Sequence, residues 1–267
     1  MSGPTESDLT GENRQRLAQS FDATAAAYEL GRPEYPDEAL TFWDDYGVFE
    51  RDNVILDLAA GTGKLTRLLP VTCELHAVEP LAQMRAEFAG AVPDVDVLDG
   101  TAESIPFPDD HFDAVLVAQA FHWFDPRAAL DEIARVLRPG GGLGLIWNED
   151  DMDGAAWLSD VVDEKTATAS STLIGEHPVV EVLDGHVAFG AVETFECQWE
   201  YATTMEGVLA DVLSRSYVSA LPAAERLGVL TRSRQAIERH LGSGVQEIAY
   251  PYRTTTFWSP LATADSA

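Results

Sequence analysis

The sequence predicts an α/β fold built on a mostly parallel sheet, and three observations carry that expectation. Short apolar runs alternate with helical patterns from Asn53 to Trp147, which is the order that βαβ units produce. Some of these runs, AVLVA among them, are apolar without interruption, as strands covered on both faces must be. A glycine-rich turn, AAGTG, joins the first run to the helical pattern that follows it.

The 267 residues are enough for one large domain, read here as residues 1–267 with an N-terminal cap over 1–35, a core over 36–150, and lid helices with the last two strands over 151–267. The opening ten residues are polar and read as frayed. Leu17, Phe21, Ala25 and Tyr28 then recur at helical spacing between Asn13 and Leu30, until the prolines of GRPEYP break the pattern. A second helix is expected from Pro36 to about Tyr46.

Five strands follow, at Asn53 to Leu58, Glu74 to Glu79, Val95 to Leu98, Asp113 to Ala118 and Gly142 to Trp147. Their crossovers are read as helices at Lys64 to Leu69, Leu81 to Ala89 and Pro126 to Leu137, with only a short link through Ile105 after the third strand. Beyond NEDDMDG, Ala155 to Thr168 reads as helical, Ala191 to Tyr201 as a strand, Met205 to Leu241 as helices and Ile248 to Trp258 as a strand. The two late strands would complete a seven-stranded, Rossmann-like sheet with an antiparallel C-terminal strand, and the helices between them would form a lid.

Forty-five acidic against 17 basic residues give a formal net charge of -28, a field that repels phosphate backbones and anionic lipid. Nucleic acid and membrane are therefore not expected partners. Cys73 and Cys197 are too far apart in sequence for a metal pair and too few for a disulfide framework, which points to a reducing cytoplasm. MSGPTESDLT has neither a basic start nor an apolar run, and no stretch approaches the ~20 apolar residues of a membrane span.

Gly61 and Gly63 let main chain approach a ligand with no Cβ between them, although a tight βα loop needs the same residues. Glu79 ends the second strand in HAVEP. There it is either a solvated acid before Pro80 or an acceptor for the two hydroxyls of a ribose.

Taken together, DLAAGTG, VEP, GTAESIPFPDDHFDAVLVAQAFHWF and RVLRPGG resemble the class I S-adenosylmethionine-dependent methyltransferases, in the small-molecule branch (type 11) related to trans-aconitate methyltransferase. The likeness is strong over Phe21 to Trp147 and weaker through SRSYVSALPAAER to the last strand. It implies S-adenosylmethionine as cofactor, with Asp57, Ala59, Gly61 and Gly63 at its methionine and ribose portions and Glu79 on the ribose hydroxyls. Gln119 would lie beside the methionine, while Pro80, Met84, Thr101, Ala102 and Glu103 would border the ribose and adenine. Ala59 stands where relatives carry a first glycine, and Thr101 where many carry Asp. AAAYELGRPEYP resembles the N-terminal signature, which implies that Arg32 pairs with the cofactor carboxylate and that Tyr28 closes the same pocket. A surface ion pair is the competing account of Arg32.

Methyl transfer of this kind requires no metal. His122 in QAFHWF is the candidate base for a hydroxyl acceptor, set against the packing role a histidine in an aromatic cluster often has. Phe121, Trp123 and Phe124 read as an apolar wall. The NPPY-type tetrapeptide of nucleobase and glutamine methyltransferases is absent, which counts against nucleobase methylation; O-methylation of a small molecule, at a hydroxyl or carboxylate, is the leading expectation, with carbon acceptors also open. Arg215 is a candidate for a substrate carboxylate or an internal salt bridge. Two rivals keep the fold: a nicotinamide oxidoreductase, and a scaffold protein whose cofactor assists a non-methylating reaction such as cyclisation. Either a monomer or a homodimer is compatible with the sequence.

Overall fold

The computed structural model describes residues 25–155, 157–166 and 179–262, with the side chains of 163–166 left out. The opening residues expected to be frayed and the first part of the expected N-terminal helix lie outside these residues; of that helix the described residues hold α1 (Ala25–Gly31). The chain divides into two compact units. One comprises Met1–Pro33, Glu149–Glu176 and Gln198–Arg253; the other comprises Glu34–Asn148, His177–Cys197 and Thr254–Ala267.

The second unit carries α2 (Asp37–Asp44), α3 (Ala82–Ala91), α4 (Pro126–Val136) and α6 (Val179–Asp184) around β1 (Val54–Leu58), β2 (Glu74–Val78), β3 (Val97–Leu98), β4 (Phe112–Ala118) and most of β5 (Leu137–Asp150). The unit boundary falls inside β6 (Glu193–Thr203) and β7 (Ile248–Pro260). The seven strands are ordered β3-β2-β1-β4-β5-β7-β6. The first five pair in parallel. The last two are antiparallel, with β5 and β7 running from Gly141 opposite Leu261 to Asp151 opposite Pro251.

Alternate residues of the central strands serve two separate cores. Val54, Leu56 and Leu58 of β1, Val115 and Val117 of β4, and Leu143, Leu145 and Trp147 of β5 pack beneath α4 and α6. Ile55, Ala114, Leu116 and Ile146 pack on the opposite face with Ala39, Leu40 and Trp43 of α2. Both faces are dry, which is why these strands read as unbroken apolar runs.

Several departures from the sequence expectation have local causes. The expected crossover helix at Lys64 to Leu69 shrinks to a 3-10 turn, Thr66–Leu68, because Leu69 precedes Pro70 and is held extended at ψ 146°. The link after β3 is short, as expected, and Arg135 of α4 pins it by donating to the carbonyls of Ile105 (3.1 Å) and Phe107 (2.9 Å). Asp125 caps α4, accepting from Ala128 N–H at 3.2 Å, and Pro126 occupies its first position. Strand β5 is longer than expected at both ends, since Arg138 to Gly141 bulge between Phe112 opposite Leu137 and Ala114 opposite Gly142. Helix α6 was not expected at all.

The first unit holds α1, α5 (Leu158–Thr166), α7 (Met205–Ser214), α8 (Ser216–Ser219) and α9 (Ala223–Leu241). Its core gathers Leu158, Val161, Val208, Val212, Ile237 and Tyr250, among others. Among the described residues no helix is long and apolar enough to cross a membrane.

Gly144 on β5 is a point of close approach between strand and helix. A Cβ there would lie 2.7 Å from Leu116 Cδ2 and 2.8 Å from Trp43 Cε2. Trp43 has no room to yield, being fully buried and donating from Nε1 to Phe257 O at 3.0 Å. Gly144→Ala should therefore destabilise the protein by about 1–3 kcal/mol, visible as a lower midpoint in urea. A midpoint unchanged from wild type would show that α2 gives way.

Candidate cofactor site

Strand order reverses between β1 and β4, and in such sheets the ligand crevice lies outside the carboxyl ends of the strands at that point. The sequence-derived residues of the second unit fall on this edge: Asp57 to Gly63 follow β1, Glu79 and Pro80 follow β2, Thr101 to Glu103 follow β3, and Gln119 follows β4.

Asp57 is 1% exposed. Its Oδ2 accepts from Thr66 Oγ1 at 2.5 Å, and its Oδ1 is buried with no partner. Burial pushes its pKa up to about 7, opposed by the Thr66 hydrogen bonds and reinforced by the charge of Glu79. The chain then turns through left-handed φ at Ala59 (59°), Gly61 (58°) and Gly63 (84°). Ala59 thus holds, with its Cβ, a conformation that glycine adopts freely. The two glycines serve different needs. A Cβ on Gly61 would meet no atom within 4 Å, whereas one on Gly63 would strike Val92 Cγ2 at 2.6 Å and Phe88 of α3.

Glu79 is 4% exposed and fully engaged by main chain: Oε2 accepts from Gly61 N–H at 2.9 Å and Oε1 from Leu81 N–H at 2.8 Å. Its own N–H donates to Leu98 O at 3.0 Å, and its carbonyl accepts from Arg85 at 2.7 Å. Met84 is buried and Pro80 exposed. Thr101 bridges to Ser104, Ala102 is buried, and exposed Glu103 accepts from Asp125 N–H at 2.9 Å.

At the end of β4, Gln119 also takes a left-handed φ of 58°, mirroring Ala59 across the switch point. Its Nε2 donates to Asn148 O at 2.9 Å, while Asn148 donates to Glu34 O (3.0 Å) and accepts from Thr254 (2.6 Å). Sequence reasoning passed over Asn148 and Thr66. Their polar contacts are with residues distant along the chain or across a turn, and only burial marks them out. His122 sits exposed on the 3-10 turn Phe121–Trp123, its ring 4.6 Å from that of Trp123.

Tyr28 and Arg32 belong to the first unit. There Arg32 Nε lies 3.1 Å from Asp211 Oδ1 and donates to Ser214 Oγ at 2.9 Å, with its guanidinium 5.6 Å from the Tyr28 ring centroid. α1 packs along α7 so closely that a Cβ on Gly31 would fall 2.0 Å from Asp211 N. Arg215 donates to Asp211 (3.2 Å) and lies 3.6 Å from Asp150, so the internal salt bridge foreseen as its alternative is present. Asp211 went unnoticed in the sequence, though an acid inside the apolar run GVLADVLS was a signal for it.

A nicotinamide site would need a third glycine at position 66. Thr66 stands there instead and spends its hydroxyl on Asp57. The orphaned Asp57 oxygen, the open space beside Gly61 and the oriented Glu79 carboxylate fit a nucleoside bearing positive charge. These are the features of a class I S-adenosylmethionine-dependent methyltransferase.

Comparison with known proteins agrees. Residues 56–145 match the model of a methyltransferase domain. An uncharacterized methyltransferase of Mycobacterium tuberculosis (strain ATCC 25618 / H37Rv) is 38% identical over 254 residues, covering 94% of this chain and 99% of its own. An uncharacterized methyltransferase-like protein of Schizosaccharomyces pombe is 33% identical over 213 residues, covering 78% and 82%. The chain belongs to this methyltransferase family; it is an enzyme, and its cofactor is S-adenosylmethionine.

Solved structures share the fold. Haemonchus contortus phosphoethanolamine N-methyltransferase 2, in complex with S-adenosyl-L-methionine, superposes with TM-score 0.53 at 14% identity over 97% of this chain and 59% of that one. The cyclase SpnF gives 0.53 at 17% identity over 94% and 97%.

Asp57 sets a pH dependence in the cofactor-free protein. Its folded pKa lies above the unfolded value of an ordinary aspartate, so its contribution to stability is lost as pH rises from about 4 through 7. Asp57→Asn removes this dependence. Its stability relative to wild type should rise by up to about 3 kcal/mol between pH 5 and pH 8 in urea denaturation. A constant difference across that range would show that Asp57 titrates normally.

Proposed function

We propose that the enzyme methylates oxygen, on a hydroxyl or carboxylate of a small molecule, with His122 as proton acceptor for a hydroxyl. The observation that carries this reading is the exposed imidazole of His122 on the turn after β4, the strand whose end also bears Gln119. A net charge of -28 supports a small acceptor over a nucleic acid.

When bound, S-adenosylmethionine supplies an electrophilic methyl group on a sulfonium, which leaves alignment to the protein. In this reading the left-handed turn from Ala59 to Gly63 presents main chain to the cofactor, and Asp57 and Gln119 border its methionine part. Glu79 exchanges its two amide contacts for ribose hydroxyls or shares them. Met84, Pro80, Thr101, Ala102 and Glu103 border ribose and adenine. A hydroxyl oxygen gaining a methyl group must lose its proton, and an imidazole near neutrality suits that transfer. Trp123 backs the imidazole with an aromatic ring.

Panels of alcohols and carboxylic acids, assayed by release of S-adenosylhomocysteine, test the acceptor class; turnover confined to amines would overturn it. Glu79→Ala should weaken S-adenosylmethionine binding by at least about 1 kcal/mol through loss of charge-assisted hydrogen bonds. Unchanged affinity by calorimetry would remove Glu79 from the site. On a hydroxyl acceptor, His122→Ala should slow turnover on the order of 100-fold while cofactor affinity stays within about twofold. An unaltered rate makes His122 a packing residue.

A further inference from the structure

Two buried carboxylates stand at the ends of neighbouring parallel strands, Asp57 on β1 in register with Ala77, and Glu79 just past the end of β2. They are provided for very differently. Glu79 receives two main-chain N–H groups, one on each oxygen, which suits an anion. Asp57 receives hydrogen bonds from a single residue, Thr66, through its hydroxyl and its main chain, and its Oδ1 has no partner. A hydroxyl serves either protonation state, since it donates to a carboxylate and accepts from a carboxylic acid by rotating. The residues at the ends of β4 and β5, Gln119 and Asn148, are neutral amides. Lys64 and Arg67 are carried by the segment that bears Thr66, and Arg67 is bound to Glu34 at 2.5 Å. Glu79 is the charge that bears on Asp57, and it opposes ionisation. Of two carboxylates so placed, the poorly solvated one retains the proton.

We propose that Asp57 acts as the charge sensor of the cofactor pocket. It is protonated when the pocket holds no cation, releases the proton to solvent when S-adenosylmethionine enters, and takes one back once the sulfonium has become a thioether. The site thereby favours the charged methyl donor over its neutral-sulfur product, which helps the product leave. The upward shift of the Asp57 pKa by burial is consistent with this. The inference rests on the reading that places Asp57 beside the cofactor.

Calorimetry at pH 7, in buffers of differing ionisation enthalpy, counts the protons exchanged when the whole protein binds S-adenosylmethionine or S-adenosylhomocysteine. Roughly half a proton should be released per S-adenosylmethionine bound, as for a group with pKa near 7, and distinctly less with the product. Asp57→Asn should abolish that difference and narrow the preference for donor over product several-fold. The nucleosides' own amino groups titrate alike in both proteins and cancel. In wild type alone, the ratio of the two Kd values, corrected for the ionisation of each nucleoside's own amino group in solution, should shift several-fold toward the donor between pH 6 and pH 8, a readout independent of how the variant folds. Equal proton counts for the two nucleosides, or a variant that keeps the wild-type difference, overturns the charge sensor and leaves the cofactor site intact. Absence of heat with either nucleoside overturns both.

Discussion

The carboxylate of Glu79 accepts one N–H from the turn after β1 and another from the segment entering α3, while its backbone N–H reaches β3. One buried ion thus ties three segments at the crevice edge. Deleting the carboxylate would leave two main-chain donors without their partner in a region that water reaches poorly, a cost of about 1–3 kcal/mol for each buried group left unsatisfied. The carboxylate also holds the left-handed turn from Ala59 through Gly63 at Gly61, alongside the main-chain bonds from Ala60 N–H to Val78 O and from Gly63 N–H to Ala60 O. Shape and charge in the candidate cofactor site therefore share one origin.

Asp57 lies in the same neighbourhood under the opposite regime. Its strand position buries it, and only Thr66 compensates. Such under-provided polar groups are costly in the free protein and persist where a ligand completes them. Ala59 and Gln119, just past the two strands that flank the reversal of order, both hold a positive φ at this edge.

The helical unit treats buried charge differently. Asp211 lies between Arg32 and Arg215, Arg215 also approaches Asp150, and Asp150 accepts from Tyr250 at 2.8 Å. Two acids and two bases balance. Removing one member would strand a partner in low dielectric, so the network prescribes how α1 and α7 meet more than it adds net stability.

The sequence by itself determined the parallel core, the G-x-G turn, the acid at the end of β2 and hence the methyltransferase class, because each is written in local pattern: unbroken apolar strands, glycines at fixed spacing, punctuation by proline. It also contained, unread, the stop that Pro70 imposes on the helix after the turn. Tertiary structure alone decided the bulge and full length of β5, whose ends depend on pairing with β4 and β7, and the polar relay from Gln119 through Asn148 to Thr254. It alone left one oxygen of Asp57 unpaired and brought Asp211 against Arg32, residues far apart along the chain. Hydrogen bonds between distant residues leave no periodic trace, since they depend on which elements the whole chain packs together.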